Sequence, residues 1–182
     1  VTSEKTPRAL VEQCQVVFLS LPSGEVVQRV AQGADGLLGA AKAGSVVVDL
    51  STSPLDVTRQ LAAQFAERSV TFIDAPVART RAAAEAGTLS ITVGADTDAF
   101  ERIRPLLATF ASDITLCGPV GCGQVVKILN NMVLFETVAA LSEAVKLNPT
   151  DAGALTALKQ AEKARDASIT DAKGQAAAKV RA

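Results

Sequence analysis

The sequence predicts an α/β fold, part of a doubly wound sheet followed by one long helix that leaves it. Three observations predict this. Short β-branched runs recur along residues 15–117, with helix-length segments between them and serine, proline or glycine at their ends. The first two runs are continuously apolar rather than alternating, as in strands covered on both faces of a parallel sheet. Residues 124–147 then form a single apolar segment far too long for a strand.

Residues 15–21 (QVVFLSL) are the first run, closed by Pro22 and Ser23, and a helix starts near Glu25. Gly44 punctuates the chain before the second strand, 45–50 (SVVVDL). Ser53 and Pro54 then supply an N-cap and a first-turn proline for the next helix. Two short strands follow at 70–74 and 89–93, separated by the alanine-rich stretch 79–86. A helix over 97–110 and a strand at 114–117 complete the alternation. Beyond Gly118, Gly121 and Gly123, the helix 124–147 is apolar on nearly every face and is expected to be buried by a second domain or subunit. From Asn148 the chain becomes rich in Ala, Lys and Asp, which predicts a helical or disordered tail rather than core. The organisation is thus a sheet domain over 1–119, an interdomain helix over 120–147 and a tail over 148–182.

Composition excludes several functions. A net charge of -1 and the absence of Tyr and Trp give no electrostatic footprint or stacking surface for nucleic acid. No apolar run is read as long enough to cross a bilayer and the opening residues lack a signal-peptide core, so no membrane partner and a cytoplasmic location are expected. Cys14, Cys117 and Cys122 have neither disulfide-framework nor zinc-site spacing. The absence of His excludes Ser/His/Asp triads and histidine metal sites. A general acid or base must then be Lys, Asp, Glu or Cys, and lysine is the candidate to look for.

In an open α/β sheet, ligands bind beyond the carboxyl ends of the strands. The first such segment, Ser20-Leu21-Pro22-Ser23, could lay backbone against a flat ligand, or be an ordinary strand-to-helix turn. The second, Asp49 to Pro54, brings Ser51, Thr52 and Ser53 to a helix N-terminus, where hydroxyls suit an anion; capping accounts for Ser53 alone. In the third, Gly123, Lys127 and Asn131 recur every fourth residue and share a helix face, the glycine leaving a gap beside the lysine. Lys127 either snorkels to water or is a partly desolvated ammonium, its pKa lowered, that exchanges a proton with a substrate oxygen.

These segments carry a resemblance. Leu21-Pro22, Asp49-x-Ser51-Thr52-x-Pro54, Asp74-Ala75-Pro76-Val77, Gly87-Thr88-Leu89 and Gly118-x-x-Gly121-x-Gly123-x-x-x-Lys127-x-x-x-Asn131 occur in order. To about residue 147 the chain resembles the β-hydroxyacid dehydrogenases, the family of 3-hydroxyisobutyrate dehydrogenase and tartronate semialdehyde reductase. The resemblance implies a Rossmann-like sheet and hydride transfer between NAD or NADP and a small anionic 3-hydroxyacid or its semialdehyde. It makes Lys127 the catalytic acid/base and Asn131 a substrate-holding residue. It sets Ser51 and Thr52 by the substrate, Ser53 by the nicotinamide, and Leu21 and Pro22 against the dinucleotide. It also implies a homo-oligomer for a complete enzyme.

Two departures qualify it. Typical members follow Asp-Ala-Pro-Val with Ser-Gly-Gly, whereas here Ala78-Arg79-Thr80 follows, a variant similar to that of sulfolactaldehyde reductases. Arg79, with Thr80 beside it, is therefore expected to pair with a sulfonate or second carboxylate, the alternative being a solvated arginine that opens a helix. No G-x-G-x-x-G turn is present before residue 15, so the sheet is expected to lack its first βαβ unit and the chain to bind NAD(P) poorly. Two readings with less support stand beside this one: a 6-phosphogluconate dehydrogenase relative, and an inactive fragment that only binds or associates through its long helix.

Overall fold

The computed structural model describes residues 3–179. In chain order its elements are α1 (Pro7–Val11), β1 (Val16–Leu19), α2 (Gly24–Gln32), β2 (Val46–Asp49), α3 (Leu55–Ala66), β3 (Thr71–Asp74) and β4 (Val77–Ala78). There follow α4 (Arg81–Glu85), β5 (Leu89–Gly94), α5 (Thr97–Leu107), β6 (Ala111–Gly118), α6 (Cys122–Leu147) and α7 (Ala152–Lys179). The predicted strands and helices are present. The short α1, capped by the Thr6 hydroxyl, and the two-residue β4 were not foreseen.

β1, β2 and β3 are parallel neighbours, as the continuous apolar runs predicted. Val46 and Val48 of β2 belong to one core cluster, with Phe100, Ile103 and Leu107 of α5. Val47 belongs to the other, with Val27 of α2 and Leu61 and Phe65 of α3. Successive side chains of one strand thus feed opposite cores, as the two-residue period of a strand requires. Phe65 stacks on Phe72 at 5.6 Å within the second core.

The sheet is mixed, not parallel throughout. Asp74 pairs with Gly94, Val77 with Ile91 and Ala78 with Ser90, so β3 and β4 form one line, broken at Ala75-Pro76, against an antiparallel β5. Residues 79–88 contain only the one-turn α4, too short for the helical crossover that a parallel strand needs, so the chain returns as an antiparallel neighbour. β6 then pairs parallel to β5.

Ser53 does not cap α3 as predicted. The cap position is Pro54 and no side chain bonds there, because the Ser53 hydroxyl is donated inward to Asp49. α6 leaves the sheet and, after a short turn, contacts α7, which resolves the tail as helical over 152–179. The apolar face foreseen for α6 is uncovered, with Val133 62% and Leu129 52% exposed. The reading that no apolar run could cross a bilayer needs correction. By length and composition alone α6 passes that test, because its charges are sparse and the whole helix, not the run between charges, is the relevant length.

Candidate active site

Leu19, Asp49 and Asp74 lie in register at the ends of β1, β2 and β3. The segments 20–23, 50–54 and 75–78 therefore leave one edge of the sheet side by side, at the end where such sheets bind ligands.

Two buried carboxylates organise this edge. Asp49 accepts the Ser51 N–H at 2.9 Å and the Ser53 hydroxyl at 2.7 Å. Asp74 accepts the N–H groups of Gly121 at 2.6 Å and Gln124 at 2.9 Å. Burial pushes both carboxyls above their usual range against the lowering effect of these hydrogen bonds, and the nearby Asp49 charge raises Asp74 further. Asp74 thereby serves as the cap of α6. The cap residue Gly121 is left-handed at φ +97° and has no side chain to offer, so the acceptor comes from β3 instead.

Gln124, fully buried in the first turn of α6, joins the two halves. Its Nε2 donates to the Ser51 carbonyl at 2.8 Å and its Oε1 accepts the Ser53 N–H at 3.3 Å. Ser51 Oγ in turn accepts the Leu21 N–H at 2.9 Å. One network thus ties the Leu21-Pro22 loop, the serine loop and the start of α6. Close packing assists it: a Cβ on Gly123 would lie 2.5 Å from the Thr92 carbonyl oxygen, and one on Gly94 would lie 2.2 Å from Asp74 Oδ1. The gap predicted beside Lys127 is therefore absent, because β5 backbone fills the space at Gly123.

Lys127 follows on α6, part-buried, and its ammonium donates to the Val77 carbonyl. Val77 donates its own N–H to the Leu50 carbonyl at 3.3 Å, so the lysine is anchored one residue from the serine loop's start. Asn131 lies one turn further, half-buried. Of the three loop hydroxyls, Ser51 and Ser53 are buried and bonded within the network, and Thr52 is exposed. Leu21 and Pro22 are half-buried at the adjoining strand end.

Arg79 and Thr80 lie just beyond Val77. It is Thr80, not Arg79, that opens α4, accepting the Ala83 N–H at 3.4 Å. Arg79 is left-handed at φ +81° and donates to the Thr88 carbonyl at 2.6 Å and to Ser112 Oγ at 3.2 Å, with Asp113 at 3.9 Å. In place of the solvated arginine weighed as the alternative, it holds Thr88 and Ser112 and Asp113 of β6, although its side chain stays 45% exposed. The sequence reading missed Gln124 and the anchoring role of Asp74. The available signals were a glutamine in an otherwise apolar helix turn and a carboxylate ending an apolar strand.

The Leu21-Pro22 backbone is pinned by Ser51, Thr52 is presented outward, and the lysine stands on the far side of the serine loop. Over residues 1–118 the sequence matches the family described as the NAD binding domain of 6-phosphogluconate dehydrogenase. The chain belongs to this family. Among curated relatives it is 42% identical over 132 residues to 2-(hydroxymethyl)glutarate dehydrogenase of Eubacterium barkeri, covering 72% of this chain and 44% of that protein. It is 37% identical to 2-hydroxy-3-oxopropionate reductase of Escherichia coli K12, covering 79% and 49%. A Mycobacterium tuberculosis 3-hydroxyisobutyrate dehydrogenase structure with L-serine superposes with a TM-score of 0.76 at 34% identity, covering 84% of this chain and 52% of that one. The chain thus spans about half the length of these relatives. Membership makes NAD(P) the cofactor class, in keeping with a similar structure solved with NADP+.

Proposed function

We propose that this chain carries the nicotinamide-facing and catalytic part of an NAD(P)-dependent 3-hydroxyacid dehydrogenase or semialdehyde reductase. One observation carries the reading: Lys127 bonds Val77 at the same sheet edge where Gln124, one turn before it on α6, clamps the Ser51–Ser53 loop. The lysine and the outward-facing Thr52 therefore stand on adjoining segments of one edge. The cofactor supplies the hydride chemistry when bound.

In this reading Lys127 Nζ passes a proton to or from the reacting substrate oxygen. Thr52 and Asn131 hold the substrate carboxylate. Ser51 and Ser53, turned into the network, shape the loop that faces substrate and nicotinamide, and Leu21 and Pro22 support the dinucleotide. Residues 1–119 form the cofactor domain, 120–147 the interdomain helix and 148–182 an appended tail.

Arg79 and Thr80 bias the site toward a substrate with a second anionic group, a sulfonate such as that of sulfolactaldehyde or a further carboxylate. The relative from Eubacterium barkeri is named for a glutarate, a dicarboxylate. Asp113 competes for Arg79, but an exposed pair at 3.9 Å is readily exchanged for a substrate anion. A cytoplasmic location, the absence of a nucleic-acid partner and homo-oligomerisation of the complete enzyme belong to the same proposal.

Titration of the chain with NADH and NADPH, read by nicotinamide fluorescence with and without sulfolactate or a small 3-hydroxyacid, tests the reading. Micromolar binding that Thr52→Val weakens supports it. No binding up to millimolar dinucleotide rejects it for this chain in favour of a non-catalytic fragment that associates through α6.

A further inference from the structure

Gln124 is tied to both sides of the site by three hydrogen bonds. Its side-chain amide meets the carbonyl of Ser51 and the N–H of Ser53 together, as the main chain of a neighbouring strand would, while its own N–H goes to Asp74. Thr52 lies between the two clamped residues, so the amide fixes the direction in which its side chain leaves the loop. On the helix, Gln124 and Lys127 are three residues apart and hence surface neighbours. Although α6 packs on β5, β6 and α7, few of its side chains are buried: beyond Gly123 and Gln124, Val138 alone among the described residues.

We propose that Gln124 is a positioning residue that sets the placement of Lys127 relative to Thr52, and thereby the alignment of proton transfer with substrate binding. The inference rests on the role given to Lys127 above. A glutamine suits the task because one planar group supplies both a donor and an acceptor. Glutamate keeps the acceptor for Ser53 but presents an oxygen to the Ser51 carbonyl, and methionine keeps the volume but neither bond.

The test compares the wild-type chain with Gln124→Met, Gln124→Glu and a core control, Phe65→Leu, which lies outside the site. Acetylation of Lys127 by acetic anhydride is followed across a pH series by peptide mass mapping, with the exposed Lys146 and Lys159 as internal references. Melting temperatures are recorded in parallel. The expected result is a several-fold change in relative Lys127 labelling for the Gln124 variants, with none for Phe65→Leu at a comparable loss of melting temperature. An unchanged Lys127 profile in folded Gln124 variants, or an equal change in the core control, overturns the inference. Should methionine prevent folding, the glutamate variant decides by the same criterion. Where the wild-type chain turns over substrate, kcat should fall about 10-fold or more in both variants while the dinucleotide KM stays near wild type. A wild-type chain that binds no dinucleotide would sink the functional reading alone, because the labelling comparison does not require cofactor.

Discussion

Asp74 accepts the main-chain N–H of Gly121 at 2.6 Å, which ties the last residue of β3 to the residue that opens the lysine helix. α6 is therefore held at its start by polar anchors and glycine contacts rather than by its largely exposed apolar face. Fixing a helix at one end gives accurate placement within the first two turns, and Lys127 is in the second.

The two buried carboxylates should respond differently to neutralisation. Asp74 receives an N–H on each oxygen, so Asp74→Asn would set an amide N–H against a backbone N–H and cost about 1–3 kcal/mol. Asp49 receives one N–H and one hydroxyl, and the hydroxyl can turn to accept from an amide, so Asp49→Asn should be tolerated. Urea unfolding of both variants at neutral pH checks the contrast, and equal losses would contradict it.

Acid should favour the wild-type fold over Asp49→Asn. Burial raises the folded Asp49 carboxyl above 3.8, so the native state binds a proton that the unfolded chain releases. Stability from this group is fully present below about pH 3.8 and is lost as pH rises through the raised folded value. The stability of wild type relative to Asp49→Asn should therefore increase as pH is lowered from neutral toward about 4. Melting curves over that range show it, and a constant difference would mean that Asp49 is not desolvated.

Gly94→Ala should damage the site without touching it. The new Cβ would lie 2.2 Å from Asp74 Oδ1, whose carboxylate is bonded to α6 and cannot swing aside cheaply. Overpacking of this kind costs about 1–3 kcal/mol, and the displacement should appear as faster amide exchange at Gly121 and Gln124. Protection at those two amides equal to wild type would refute the clash.

Local signals read from the sequence went far. The strand runs 15–21 and 45–50 were legible because β2 is buried on both faces and β1, though one of its faces is only half-buried, is apolar on both. That Lys127 and Asn131 share one face of α6 was legible because a helix converts spacing into a face. The antiparallel turn of β5 was not legible, since it depends on whether α4 is long enough to cross the sheet, and an alanine-rich stretch suits a long or a short helix equally. The roles of Ser51, Ser53 and Gln124 were hidden for a related reason. A hydroxyl at a strand end reads as ligand-facing until a buried partner distant in sequence, here Asp49 or Gln124, is placed beside it.

Arg79→Gly should separate specificity from stability. Glycine relieves a left-handed arginine worth roughly 1–2 kcal/mol, which offsets the loss of exposed contacts to Thr88, Ser112 and Asp113. The melting temperature should change little, while affinity for a doubly anionic hydroxyacid falls relative to a singly charged one. Asp113→Asn should act in the opposite direction by releasing the guanidinium. Competition binding with sulfolactate and 3-hydroxyisobutyrate measures both variants, and an unchanged preference in each would remove Arg79 from the site.

Lys127→Ala isolates the proton-transfer step from cofactor binding. The lysine holds the Val77 carbonyl but contributes to neither core cluster, so its loss should leave the fold and the Ser51–Ser53 clamp in place. Dinucleotide affinity should then stay within a few-fold of wild type, because the Leu21-Pro22 and serine loops keep their bonds. Turnover, where the wild-type chain shows it, should drop by about 10²–10⁴, the usual contribution of a positioned acid or base. Small primary amines added to the variant should restore part of the rate, since the cavity left by the side chain admits a proton donor. Loss of dinucleotide binding and turnover together would instead mean that Lys127 holds the edge in shape, and the acid/base role would pass to another residue.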